Sequence, residues 1–191
     1  MKTLLKLFVV FSVALMVGCV QYTLVPIGKN EHNGMSVETS INWNKSPVTF
    51  GPKTVLWTAD GEMLNRLVLV SAVADKEAMF HSRREDTPQP KFSANLLPHE
   101  IEAFIKTSMT NMSGGQYPVE TSNLTPAKIG QDMGIKFDIS YYNVDGLLSK
   151  GKVGAVITNG KLYAMIFTAA SLHHYDKYKG EVDRILSTLS I

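Results

Sequence analysis

Residues 133–142 alternate without a break. Met133, Ile135, Phe137, Ile139 and Tyr141 fall on one side, with Gly134, Lys136, Asp138, Ser140 and Tyr142 on the other. A period of two over ten residues predicts a long strand with one wet face. Asp145-Gly146 then turns the chain, and Lys152 to Thr158 reads as a second strand. Asn159-Gly160 is a favoured two-residue hairpin turn, because both residues tolerate positive φ. Lys161 to Ala169 follows as a third strand, with Leu162, Ala164 and Ile166 opposite Tyr163, Met165 and Phe167. Three strands joined by short turns make an antiparallel meander, and the rest of the chain must pack around it.

Upstream, Met35 to Ile41 alternates as a half-buried strand, followed by Trp43 and the loop Asn44-Lys45-Ser46-Pro47. Thr54 to Thr58 is rich in strand formers, with Val55 and Trp57 on one face, and Asp60-Gly61 is a turn signal. Arg66 to Val73 is apolar on both faces, Leu67, Leu69 and Val73 against Val68, Val70 and Ala72, as a covered central strand would be. His81 to Asn95 has no period and reads as a long exposed loop. Pro98 suits a first helical turn. Ile101, Phe104, Ile105, Met109 and Met112 recur at helical spacing, and Gly114-Gly115 stops the helix. Gln116 to Gly130, with two prolines, fits neither period. Ser171 is a candidate cap for a last helix whose apolar stripe is Tyr175, Tyr178, Val182, Ile185, Leu186 and Leu189. One helix cannot bury a sheet face alone. The expectation is therefore an α+β fold, an antiparallel β-sheet with both main helices packed on one face, forming a two-layer sandwich.

The N-terminus has a different character. Lys2 and Lys6 precede Leu7 to Val17, eleven residues whose only polar side chain is Ser12. A basic start and a short apolar run match a secretory signal. The run falls short of the ~20 residues needed to span a bilayer. It ends at Gly18-Cys19, which holds the single cysteine of the chain. Leu15-Met16-Val17-Gly18-Cys19 resembles the lipobox of bacterial lipoproteins, with Met16 in place of the usual Leu. The resemblance implies cleavage between Gly18 and Cys19, acylation of Cys19 and anchoring to the membrane. Val20, rather than Asp, implies the outer membrane facing the periplasm. The organisation expected is a signal peptide over 1–18, a lipidated tether over 19–34 and one α+β domain over 35–191.

The full chain carries 19 Lys+Arg and 17 Asp+Glu. Lys2 and Lys6 leave with the signal, so the mature chain is neutral and lacks the basic footprint of a nucleic-acid partner.

No catalytic motif emerges. His99-Glu100-Ile101-Glu102-Ala103 starts like a zinc-protease helix, but the second histidine position is Ala103. His173 and His174 are adjacent, so on a helix they point ~100° apart and cannot alone share a metal. His81, Arg83 and Arg84 could hold an anion or a lipid head group, but Glu85 and Asp86 cancel the charge locally. No metal and no cofactor are expected. Trp43, Trp57, Tyr141 and Tyr163 are the candidate ligand or partner surface. Burial at the end of the sheet core explains the tryptophans at least as well, and cross-strand packing the tyrosines.

The hairpin Val153 to Phe167, running into a helix that ends Glu181-Val182-Asp183-Arg184-Ile185-Leu186-Ser187, resembles the PsbP/Mog1/DcrB-like group of small α+β domains. The resemblance implies a binding or accessory role and transfers no site residue. The expected function is a non-catalytic envelope lipoprotein holding a protein partner or a small ligand. The alternative is a lipid-anchored hydrolase with unmarked residues.

Overall fold

The computed structural model describes residues 21–191. In chain order its elements are β1 (Thr23–Val25), β2 (Gly28–His32), β3 (Met35–Thr39), β4 (Trp43–Lys45), β5 (Thr54–Thr58) and β6 (Asn65–Val73). They continue with α1 (Pro98–Met112), β7 (Glu120–Ile129), β8 (Asp132–Tyr142), β9 (Leu148–Thr158), β10 (Lys161–Ala170) and α2 (His174–Thr188). Eight strands form one antiparallel sheet in the order β1-β4-β5-β6-β10-β9-β8-β7, and β2 and β3 form a separate ribbon. The fold is α+β. The meander is in place, with Lys161 opposite Thr158 across the Asn159-Gly160 turn and Ile135 opposite Ala155.

The layering differs from the two-layer expectation. Ile101, Phe104 and Ile105 of α1 pack on Leu56, Val68, Val70, Phe137, Val153 and Ile166. Tyr178, Val182, Ile185 and Leu186 of α2 pack on Val55, Trp57, Leu67, Leu69, Met165 and Phe167. These strand residues alternate, so the helices cover opposite faces and the sheet is the middle of three layers. Central strands apolar on both sides require cover on both sides. Each helix is completed by another segment. Met79, Phe80 and Phe92 fill the α1 side, and Met35 and Val37 of the β3 ribbon fill the α2 side.

Four local readings change for physical reasons. Residues 81–95 are not an exposed loop throughout. Phe92 is fully buried, with its ring centroid 5.9 Å from that of Phe104. A bulge turns Val73 onto the face of Val68 and Val70. Val73 pairs with Leu162 and Val70 with Ala164, and Ala72 takes up the extra residue at φ 56°. The span 19–34 is not all tether, because β1 joins the sheet beside β4 and β2 pairs with β3. Ser171 does not cap α2, which starts at His174, and its N–H donates to the Leu148 carbonyl instead.

The stretch that fitted neither period is edge strand β7. Pro126 pairs with Ile135 on the one side that has a neighbour, and a bulge at Asn123, φ 57°, interrupts the ladder. Proline lacks an N–H and is tolerated in such a position.

At Gly154 of β9, α2 packs tightly against the sheet. A Cβ there would stand 2.1 Å from Leu186 Cδ1. Gly154→Val is expected to force Leu186 aside and cost about 1–3 kcal/mol, read as a lower urea midpoint with unchanged slope.

Candidate functional site

The α1-side face of the sheet is aliphatic over most of its length. It becomes polar at one end. Arg66 of β6 lies opposite Thr168 of β10, and Ser149 of β9 lies opposite Tyr141 of β8. By alternation all four side chains share the face of Val68, Ile166, Val153 and Ile139. Four adjacent strands thus carry a stepped row of hydrogen-bonding groups about 14 Å wide, at ~4.8 Å per strand, in which Arg66 and Thr168 are in line with Gly151, and Ser149 and Tyr141 stand two residues further on, in line with Ala170. Thr168 and Ser149 are 7% and 9% exposed; their hydroxyls make no side-chain hydrogen bond among the described residues and are not fully buried, so they are open to the cleft they line. The Tyr141 hydroxyl makes no such bond there either.

This row floors a cleft of about 660 Å³. Met109 and Met112, in the last turn of α1, form one wall. Phe50 and Phe80, packed edge-on at 6.2 Å, form another. Tyr117 also lines it, and Val48, Met63, Leu64 and Val144 surround the mouth.

Three arginines lie on the lining. Arg66 donates from Nε to the Glu62 carbonyl at 2.7 Å, with its guanidinium 5.9 Å from the Phe50 ring centroid. Arg84 holds Asp86 through two bonds of 3.0 and 3.1 Å. Its stem lies over Gly114, whose φ of 66° ends α1 and where a Cβ would be 2.5 Å from Arg84 Cδ. Asn111 Nδ2 donates to the Pro88 carbonyl at 2.8 Å, so the same loop is clamped twice to the end of the helix. Arg83 is exposed and has no carboxylate partner among the described residues. The charge cancellation expected from Glu85 and Asp86 therefore reaches Arg84 only.

The turn that carries Glu62 to Leu64 is fixed from below. Asn65 Oδ1 accepts from the Ala59 N–H at 2.8 Å. Asp60 accepts from Lys177 Nζ at 2.9 and 3.0 Å and lies 2.9 Å from His174 Nδ1, which ties the turn to the first turn of α2. Burial pushes the Asp60 carboxyl up. Hydrogen bonds from Lys177, Tyr178 and His174 outweigh it, so the group rests below its ordinary value. A depressed carboxylate contributes stability above its unfolded value, and this is lost as pH falls through the folded one. Asp60→Asn is expected to cost roughly 1–2 kcal/mol at neutral pH. Urea titrations should show that difference shrinking once pH drops below about 3.9.

The four residues proposed from sequence do not meet. Trp43 and Trp57 are 0% and 3% exposed in the α2-side core, with Trp43 5.9 Å from the Tyr178 ring. Tyr163 is half-buried against that same core. Tyr141 alone reaches the cleft. The tryptophans lie near strand ends as expected, but α2 and the ribbon close over them. His99 is exposed on the first turn of α1, and Glu100 there accepts the Leu97 N–H at 2.8 Å. Among the described residues no three His, Cys, Asp or Glu side chains gather as metal ligands. Arg66, Ser149 and Thr168 were missed. Their signal is a polar residue ending a same-face aliphatic run, as in Ala164-Ile166-Thr168. Gly18 and Cys19 lie outside the described residues.

No family model matches the chain, and no curated protein sequence does. Solved structures do match. Cyanobacterial PsbP (CyanoP) from Synechocystis sp. PCC 6803 aligns over 92% of this chain and 95% of its own, with a TM-score of 0.55 at 13% identity. A protein from Bacteroides thetaiotaomicron VPI-5482 aligns over 87% of this chain and 48% of its own, with a TM-score of 0.48 at 13% identity. LpqN, involved in cell envelope biogenesis of Mycobacterium tuberculosis, aligns over 92% and 86%, with a TM-score of 0.36 at 11% identity. Of these three, the likeness to CyanoP is the one close enough to carry weight. What it establishes is a PsbP-like fold.

Proposed function

We propose that this chain is a non-catalytic binding or accessory module of the bacterial envelope. Lipid on Cys19 holds it at the outer membrane, facing the periplasm, and the cleft receives its ligand or partner. The observation that carries the binding reading is the row of Thr168, Ser149 and Tyr141 hydroxyls without protein partners at the base of apolar walls. Small-molecule sites combine a mainly apolar lining with a few oriented polar groups, and typically enclose about 300–1,000 Å³. The anchoring reading rests on Leu15 to Cys19 and on the charge and length of the segment before it. No helix among the described residues is long and apolar enough to cross a membrane.

A hydrolase would need a nucleophile within hydrogen-bond reach of a base. The lining contains hydroxyls but no histidine, and its one carboxylate, Glu62, accepts from the Tyr22 hydroxyl at 3.0 Å. The pair His174–Asp60 shares its carboxylate with Lys177, an arrangement that fixes a turn. These contacts favour binding over acid–base work.

The test is photo-cross-linking in intact envelopes, from benzoylphenylalanine placed at Met112 in the cleft wall or at Lys136 on the wet face. A discrete adduct from Met112 and none from Lys136 is expected. No adduct from either, or the same adducts from both, would remove the cleft as the binding site.

A further inference from the structure

The strand nearest the anchor carries exposed apolar side chains that lead to the cleft mouth. Tyr22 and Leu24 share the α1-side face of the sheet edge by alternation, and Leu24 is 59% exposed. The Tyr22 hydroxyl donates to Glu62, the residue before Met63 and Leu64. Met63 is 68% exposed and Val48 50%, and both line the mouth with Leu64. Isolated exposed apolar residues are ordinary, but a contiguous strip marks a contact surface.

The length of chain before this strip identifies the occupant. Cys19 precedes Tyr22 by three residues, which span at most about 11 Å at ~3.6 Å each. Strand β10, ten residues long, places the Asn159-Gly160 turn about 30 Å from the cleft end. An anchor at Cys19 therefore cannot hold the domain away from the bilayer, and the part it holds nearest is the strip rather than the far turn.

From this we infer that the strip Tyr22, Leu24, Val48, Met63 and Leu64 is a membrane-contact surface. It lies on the headgroup region of the bilayer, with Arg83 at its border and the cleft mouth opening toward the lipid. The inference rests on the anchoring reading above. Arg83, which has no carboxylate partner, takes lipid phosphate, and the arginine stems extend the apolar contact. A ligand entering the cleft then arrives from the lipid surface.

The test uses the full acylated chain reconstituted into vesicles of phosphatidylethanolamine and phosphatidylglycerol. Acylation leaves Cys19 without a free thiol, so an introduced cysteine is the only site for a thiol-reactive fluorophore. Val48→Cys, Met63→Cys and Asn159→Cys are labelled, and quenching by doxyl-labelled lipid is measured. The expected result is blue-shifted emission and several-fold stronger quenching at 48 and 63 than at 159. Solvent-like emission at 48 and 63 would overturn the contact surface while leaving the anchor standing, provided the unsubstituted chain takes no label. Equal quenching at all three positions would overturn it as well. Labelling of the unsubstituted chain would reveal a free Cys19 thiol, and the anchoring reading would fall together with the surface.

Discussion

Trp43→Ala is expected to lower the stability of the domain by about 3–5 kcal/mol, the range for a fully buried large aromatic cut back to a methyl group. For a domain of this size that is about 6–20 °C in Tm. The side chain is 0% exposed, packs at 5.9 Å against Tyr178 and belongs to the core that joins α2, the ribbon and the sheet. Collapse around the cavity would have to move all three. Trp43→Phe separates packing from polarity. The Trp43 indole N–H is buried with no acceptor among the described residues. Removing an unpaired donor relieves a desolvation cost of about 1–3 kcal/mol, which offsets much of the lost volume. Phenylalanine should therefore cost less than half of what alanine does. Equal losses would mean that the indole N–H has a partner. A Trp43→Ala change that left Tm unaltered would contradict burial itself.

Cys19→Ser is expected to abolish incorporation of labelled palmitate and to release the chain from membranes on carbonate washing. The chain has one cysteine, so no second thiol can substitute. A serine hydroxyl is not a replacement, because reactivity at this position belongs to the thiolate. The effect is large because acyl chains act together. One chain gives only marginal binding, on the order of 10⁴ M⁻¹, while each buried CH₂ adds ~0.8 kcal/mol, so two or three chains hold firmly. Equal labelling of both forms, or none in the unsubstituted chain, would count against acylation at Cys19.

The parts of the fold legible in the sequence were those fixed by neighbours. Met133 to Tyr142 alternates, Asn159-Gly160 closes a hairpin, and Ile101 to Met112 repeats at helical spacing. All three are local facts, and the strands and helix stand where they point. Which face a helix covers is not local. The double-faced apolar strand Arg66 to Val73 carries the clue, because it has two faces to cover and one helix lies on each. Ala72 illustrates a finer limit. One residue at positive φ moves Val73 to the other side, and alanine carries no signal for such a bend.

The candidate site was still less visible. Tyr141 is legible by its alternation, but Ser149, Thr168 and Arg66 join it only through strand register, across two hairpins and the long-range pairing of β6 with β10. Trp43 and Trp57 attracted attention by residue type. Their burial depends on α2 and on Met35 and Val37, elements whose packing neither tryptophan announces. The reading of Cys19, which lies outside the described residues, rests on the residues beside it alone.

The two borders of the sheet have a bearing on life in a crowd. A strand with unpaired N–H and C=O groups invites a neighbouring chain to zip onto it. β1 offers only three residues, Thr23–Val25. β7 is long, but Pro126 removes a donor and the bulge at Asn123 bends the ladder, so no flat run of matching groups remains. Restoring a regular border, by Pro126→Val with deletion of Asn123, should make the domain polymerise edge to edge.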